Sequence, residues 1–257
     1  MLDLAAARIL VTNDDGIQAT GLGVLERIAR SLSDDVWVCA PETEQSGSSH
    51  SLTIHRPLRL RQVAERRFCV DGTPTDCVLL AVNRLLRDRR PDLVLSGVNR
   101  GQNAGEDVTY SGTIAAAMEA TLLGIPAMAL SQVVREDRPP DWATAEHWGP
   151  TVVRRATAVD WPAHVLVNVN FPAVAPDEVA DIRVVPHGNA KIGDALDERT
   201  DPRGQTYFWI GTARNGGDVL RPDTDTYVLD GRSIAVTPLY LDLTHYPTIE
   251  TLRQAMS

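Results

Sequence analysis

The chain has 257 residues, enough for one large α/β domain or for a core with a smaller appendage, and either can bury a substantial interior. Acidic residues outnumber basic ones 34 to 25, a formal net charge of −9, which disfavours a nucleic-acid partner because phosphate neutralisation needs clustered Lys and Arg. Cys39, Cys69 and Cys77 have no C-x-x-C spacing, so neither a disulfide framework nor a zinc site is expected. With no basic-then-apolar leader in "MLDLAAARIL" and no apolar run near the roughly 20 residues that span a bilayer, the expectation is a cytoplasmic protein with no membrane partner.

In chain order, short apolar runs alternate with amphipathic stretches: "RILVT", then "GLGVLERIARSL", "VWVCA", "DCVLLAVNRLLR", "DLVLSGV", "GTIAAAMEATLLG" and "IPAMALS". Continuous apolar strands separated by helices of about a dozen residues predict a mostly parallel sheet covered on both faces, a three-layer, Rossmann-like α/β fold. Between "VWVCA" and "DCVLL", the β-branched and alternating "SLTIHRPLRLRQVAERRFCVDG" predicts an inserted hairpin near 51–71. In "DGTPTDC", Thr75 or Asp76 reads as a helix cap.

The prolines and charges of "VVREDRPPDW" mark a boundary. A helix over "WATAEHWGPTVVRRATA", with Pro150 near its middle, precedes a strand, "HVLVNVNF". Beyond residue 180, "DIRVVPHG", "QTYFWIGT" and "DTYVLDGRSIAVTPL" read as strand-like runs separated by turn residues. Hairpins projecting from a parallel core often pack on a second subunit, which predicts a homo-oligomer.

Ligands of open α/β sheets bind outside the carboxyl ends of the strands. Asp14 and Asp15 follow the first strand, Ser46 the second core strand, and Asn99, in "SGVNRGQNAG", a later one. Their carboxylate, hydroxyl and amide oxygens suit Mg²⁺ or Mn²⁺. The ordinary alternative for Asp14 and Asp15 is a tight turn at Gly16, with one aspartate capping the helix near Gly21. Ser111, Gly112 and Thr113 open an amphipathic helix whose N-terminus can hold a phosphate, or they are simply its cap. His50, His55, His147, His164, His187 and His245 are scattered and read as surface or core residues. Tyr110 is a candidate for stacking on a base by position alone. The glycines match neither G-x-G-x-x-G nor the P-loop, which weakens a nicotinamide-dependent oxidoreductase.

"ILVTNDDGI", "APETEQSGSSHSLT", "GTPTDC", "DLVLSGVNRGQNAGEDVTYSGTIAAAMEA" and "DPRGQTYFWIG" together resemble the SurE family of survival proteins, over residues 8 to about 130 and more loosely to the C-terminus. The resemblance implies a 5′-nucleotidase that hydrolyses nucleoside 5′-monophosphates, with 3′-monophosphates and short polyphosphates as further substrates. It implies one divalent ion per subunit, Mg²⁺ or Mn²⁺, held by Asp14, Asp15, Ser46 and Asn99, with Asp14 and Asp15 also catalytic. It puts phosphate contacts on Asn103, Ser111, Gly112 and Thr113. The expected division is a metal- and phosphate-binding core over 1–135 and a part over 136–257 that completes the sheet and carries an oligomerisation arm, about 180–230, and a tail. "HGNAKIGDALDERT" departs from the family except at positions such as Asp194, Ala195 and Leu196. The rival from another class is a noncatalytic sensor that binds nucleotide and metal through the same strand ends.

Overall fold

The computed structural model of the protein describes residues 2–135, 137–189, 196–210 and 221–257. The first apolar run forms β1 (Arg8–Thr12), in which every residue after Arg8 is buried. It is followed by α1 (Thr20–Arg30), β2 (Asp35–Pro41), β3 (Leu60–Ala64), β4 (Arg67–Val70), α2 (Pro74–Leu80), β5 (Leu93–Arg100), α3 (Gly112–Leu122) and β6 (Ala127–Gln132). The rest comprises α4 (Ala143–Thr157), β7 (Val165–Phe171), β8 (Ile182–Val184), β9 (Leu196–Thr200), β10 (Thr206–Ile210), α5 (Asp225–Asp230), β11 (Ile234–Tyr240) and α6 (Tyr246–Met256).

Nine strands make one sheet in the order β3-β4-β2-β1-β5-β6-β7-β11-β8. All neighbours from β4 to β7 are parallel, as are β11 and β8, while β3 with β4 and β7 with β11 are antiparallel. Side chains of one strand alternate between faces, and the core divides accordingly. Ile9, Val11, Leu93, Leu95 and Leu130 pack with Leu25 and Ile28 of α1 and Val152 of α4. Leu10, Val94 and Ala129 pack on the other face with Val78 of α2 and Ile114 and Ala117 of α3. Strands buried on both faces need unbroken apolar sequence, which is why β1, β5 and β6 carry no alternation.

From β1 the chain winds outward to β2 and then returns to place β5 on its other side. That reversal makes the gap between the carboxyl ends of β1 and β5 the topological switch point, where such sheets bind ligands.

Several local expectations are corrected. Within the stretch near 51–71 the paired strands cover only Leu60–Ala64 and Arg67–Val70, and the hairpin joins the main sheet through β4. The cap of α2 is Thr73, in a capping box with Asp76, because Pro74 occupies the first helical turn and leaves the preceding hydroxyl to accept the Asp76 N–H. Ala19 precedes α1 without a side-chain cap, so neither Asp14 nor Asp15 serves there. The helix α3 is not amphipathic: it packs on the sheet beside α2, and its small residues are buried nearly all round. In "DTYVLDGRSIAVTPL" the first six residues form α5 and only the later run is a strand, since Asp225 and Thr226 at its start serve helix-side hydrogen bonds instead of a ladder. The helix α4 runs through Pro150 unbroken as one element. β9 and β10 form a separate antiparallel hairpin. Asp194 and Ala195 lie outside the described residues, as does much of the expected arm.

Among the described residues no helix is long and apolar enough to cross a membrane. Cys39, Cys69 and Cys77 are all buried free thiols.

Candidate functional site

β1 is followed by Asn13, whose Nδ2 donates to the Gly16 carbonyl at 3.1 Å, closing a turn that presents Asp14 and Asp15 at the switch point. Gly16 has φ +98°, and a Cβ there would sit 3.2 Å from the Thr43 carbonyl carbon. Only glycine lets the turn pass this close to the loop after β2. That loop is tied down by the Gln45 N–H, which donates to the Asp14 carbonyl at 2.8 Å. Ser46 follows it, exposed, with its Oγ–H donating to Glu44 Oε1 at 2.9 Å.

Asn99 reaches the same edge through an irregularity. Ser96 of β5 lies opposite Ala129 and Asn99 opposite Ser131, so β5 carries one extra residue there, a bulge that re-aims the strand end. Asn99 Nδ2 donates to the Gly101 carbonyl at 2.9 Å, which leaves Oδ1 as its available ligand atom. The next residue, Arg100, donates its backbone N–H to Asp15 Oδ2 at 3.2 Å.

Asp14 is 4% exposed and lies against the start of α3, where the Thr113 hydroxyl donates to its Oδ1. Gly112 is required by that approach, because a Cβ would stand 2.8 Å from Asp14 Cβ and 2.9 Å from Oδ2. Burial pushes the Asp14 carboxyl up to about 6; the Thr113 hydrogen bond pulls it down, and the charge of Asp15 pushes it up again. Asp15, half-buried, is raised by burial and by the Glu44 carboxylate, against the lowering effects of the Arg100 N–H and side chain.

Ser111 is the N-cap of α3, its Oγ accepting from the Ile114 N–H at 3.1 Å. Thus Ser111 and Thr113 each have a hydrogen-bonding role already, cap and carboxylate holder. Asn103 is more deeply committed: its N–H donates to Asn170 Oδ1 at 2.8 Å, its Nδ2 to Ser131 Oγ at 2.8 Å, and its carbonyl accepts from Asn168 and Asn170. Its Oδ1 remains for a ligand. Tyr110 is exposed beside this loop.

Sequence reasoning missed the parts that hold the site from behind. Asp225 is fully buried and accepts from the N–H groups of Gly105, Gly188 and Thr226 at 2.9, 2.8 and 2.7 Å, tying the loop after Asn103 to the C-terminal region. Asn168 and Asn170, two apart on one face of β7, do the same for Asn103. The signal was polar residues at alternate positions of an otherwise apolar strand, "VLVNVNF". Glu44 and Arg100 were missed because each looks like an ordinary charged loop residue.

The donor set fits a hard divalent ion. Among the described residues no group of three or more His, Cys, Asp or Glu is placed to hold a metal, so an ion at this edge needs the Ser46 hydroxyl and Asn99 amide as well as the carboxylates. The charge of Asp15 bears on Asp14, and that of Glu44 on Asp15. Just beneath them, Thr12 Oγ1, Asn13 Oδ1 and Ser96 Oγ are buried without a hydrogen-bond partner, a polar floor that a hydrated site satisfies and a dry core does not. A cavity of about 580 Å³ opens at the opposite edge, between the starts of β6 and β7, lined largely by apolar residues such as Ile125, Trp161 and Val165, with Asp160 and His164 also on its wall.

A doubly wound α/β fold with an oxygen-rich, acidic site at its switch point is the class defined by these features. Comparison places the chain within that class. The family model described as "Survival protein SurE" matches residues 9–194. A 5′-nucleotidase SurE of Paramagnetospirillum magneticum is 57% identical over 253 residues, 98% of this chain and 97% of its own length. One of Caulobacter vibrioides is 51% identical over 251 residues, covering 96% and 95%. The crystal structure of the SurE protein from Aquifex aeolicus superposes with a TM-score of 0.85 at 35% identity, over 97% of this chain and all of that one. The chain belongs to the SurE family.

Proposed function

We propose that the protein is a metal-dependent 5′-nucleotidase that hydrolyses nucleoside 5′-monophosphates to nucleoside and inorganic phosphate. The observation that carries the reading is the carboxylate pair Asp14–Asp15 packed at the switch point against the N-terminus of α3, with Gly112 leaving the space for it. The names of the relatives, 5′-nucleotidase SurE, support the reaction class.

In this reading Asp14, Asp15, Ser46 Oγ and Asn99 Oδ1 would hold one Mg²⁺ or Mn²⁺ per subunit. When bound, the ion polarises a phosphoryl oxygen and lowers the pKa of a coordinated water. Thr113 fixes the orientation of Asp14 through its hydroxyl. The N–H groups that open α3 face the charge that grows on the phosphoryl oxygens. Asn103, whose N–H and Nδ2 are both committed, offers only Oδ1, which accepts from a protonated phosphate oxygen or a water beside it. Asp15, less buried than Asp14, is the better placed of the two to exchange a proton with solvent.

We further propose a homo-oligomer built through β9–β10, whose Leu196, Phe208, Trp209 and Ile210 are all more than half exposed. The three buried thiols, unpaired, fit a reducing cytoplasm.

The test is a panel of nucleoside 5′- and 3′-monophosphates and short polyphosphates assayed with Mg²⁺, Mn²⁺ and chelator. Phosphate release that requires metal and is abolished in Asp14→Asn supports the reading. Full activity of Asp14→Asn with p-nitrophenyl phosphate and Mn²⁺ removes the metal assignment, and tight nucleotide binding without turnover makes the protein a sensor instead.

A further inference from the structure

Charge at the switch point is one-sided. The charged side chains that act on the pair are Asp15 on Asp14, and Glu44 and Arg100 on Asp15, and Arg100 is the single cation among them. Three carboxylates and one divalent ion leave a net negative charge, yet a phosphate monoester arrives largely as a dianion. Some cation must offset that approach.

Arg100 is built for it. It is the last residue of β5, next to the proposed ligand Asn99, and its backbone is pinned by the N–H donated to Asp15 at 3.2 Å. Its side chain is exposed and, among the described residues, has neither an ion pair nor a hydrogen bond. Several arginines elsewhere are engaged: Arg8 pairs with Asp35, Arg27 with Glu146 and Arg67 with Glu26. The chain then turns at Gly101, at φ +112°, where a Cβ would meet nothing within 4 Å. A planar fork of donors matches two phosphate oxygens in a way that an ammonium cannot.

We propose that Arg100 is a substrate-binding residue that captures the phosphate group of the nucleotide, and the phosphate product, through a two-pronged contact beside the metal ligands. The inference rests on the nucleotidase reading. It differs from a purely structural role, in which Arg100 merely balances Asp15.

The two roles separate in Arg100→Gln and Arg100→Lys, assayed as full-length protein with saturating Mn²⁺ and followed by KM, kcat, inhibition by inorganic phosphate, and Mn²⁺ titration calorimetry. Phosphate capture predicts that Arg100→Gln raises KM and the inhibition constant of inorganic phosphate together by ~10-fold or more, the loss of a charge-assisted contact, with a smaller fall in kcat. Arg100→Lys recovers part of the loss, and Mn²⁺ binding is unchanged or tighter in both. Unchanged KM and phosphate inhibition in Arg100→Gln, with altered Mn²⁺ binding alone, overturns the proposal. If Arg100→Gln does not fold, Arg100→Lys decides: an intermediate phosphate constant supports capture, and a wild-type one overturns it. Wild-type protein inactive on every nucleotide overturns the nucleotidase reading, whereas active wild type with indifferent variants overturns Arg100 alone.

Discussion

At the carboxyl ends of β1 and β5 polar groups are buried, whereas in β9 and β10 apolar groups are exposed. Thr12, Asn13, Asp14 and Ser96 lie within a few per cent of full burial, and Phe208, Trp209 and Ile210 are 57, 62 and 79% exposed. Both arrangements are unfavourable for an isolated folded chain, for opposite reasons. Buried carboxylates and orphaned hydroxyls lose solvation that ordered water or a bound ion restores. Exposed aromatic residues on a two-stranded hairpin gain nothing from folding until another surface covers them. The proposed ion at one region and the proposed second subunit at the other would each offset its own cost.

The first way to break that contrast is to loosen the buried polar side. Asp225→Ala strands three buried N–H donors, each worth about 1–3 kcal/mol when unsatisfied. Chemical denaturation is expected to show a loss of about 4 kcal/mol. Next is Gly112→Ala, whose methyl group would displace Asp14 by pressing on its Cβ and Oδ2. A shift near 1 Å at a reacting group lowers turnover by ~100-fold, and steady-state kinetics with Mn²⁺ measure it. The fold should persist, since α3 keeps its Ser111 cap.

On the exposed side, Trp209→Glu places a charge in the hairpin face. Buried tryptophans at interfaces carry about 2 kcal/mol or more. Sedimentation is expected to show subunit dissociation at least ~30-fold more favourable than in wild type. A wild-type monomer at micromolar concentration would remove the assembly role from the hairpin altogether.

How far sequence revealed each region follows from the range of the interactions involved. The sheet was readable because β1, β5 and β6 are continuous apolar runs, a local pattern that burial on both faces demands. Asp14, Asp15, Ser46 and Asn99 could be read as a candidate set because each lies at or just beyond the end of a strand, and strand ends share one edge. What brings them there was not. Asp14 against Gly112 spans nearly a hundred residues, and Gly105 to Asp225 spans more. No local pattern encodes such pairings. "DTYVLD" misled for a related reason: its β-branched and aromatic residues suit a strand, but buried Asp225 serves as an acceptor for N–H groups of distant loops, and tertiary context overrides propensity.

The smallest effect sharpens the comparison most, because it separates the cost of burying the Asp14 carboxylate from its use. Asp14 titrates near 6 in the folded, metal-free protein, pushed up mainly by burial. In the unfolded chain a carboxyl of this type titrates near 3.9. The native state thus binds the proton more tightly. The stability this contributes is fully present below about pH 4, declines as pH rises through 6, and is gone above it, a difference of about 3 kcal/mol. Asp14→Asn removes the titration, although its new N–H donors enter a buried position and offset part of the gain. The net expectation for metal-free protein at pH 7.5 is about 1–2 kcal/mol of added stability, a few degrees in Tm, vanishing near pH 4. Added Mn²⁺ should reverse the order, raising the Tm of wild type and leaving Asp14→Asn where it was. A variant that is less stable than wild type at pH 7.5 without metal would mean that Asp14 holds the fold together, and that the carboxylate pair is a structural turn after all.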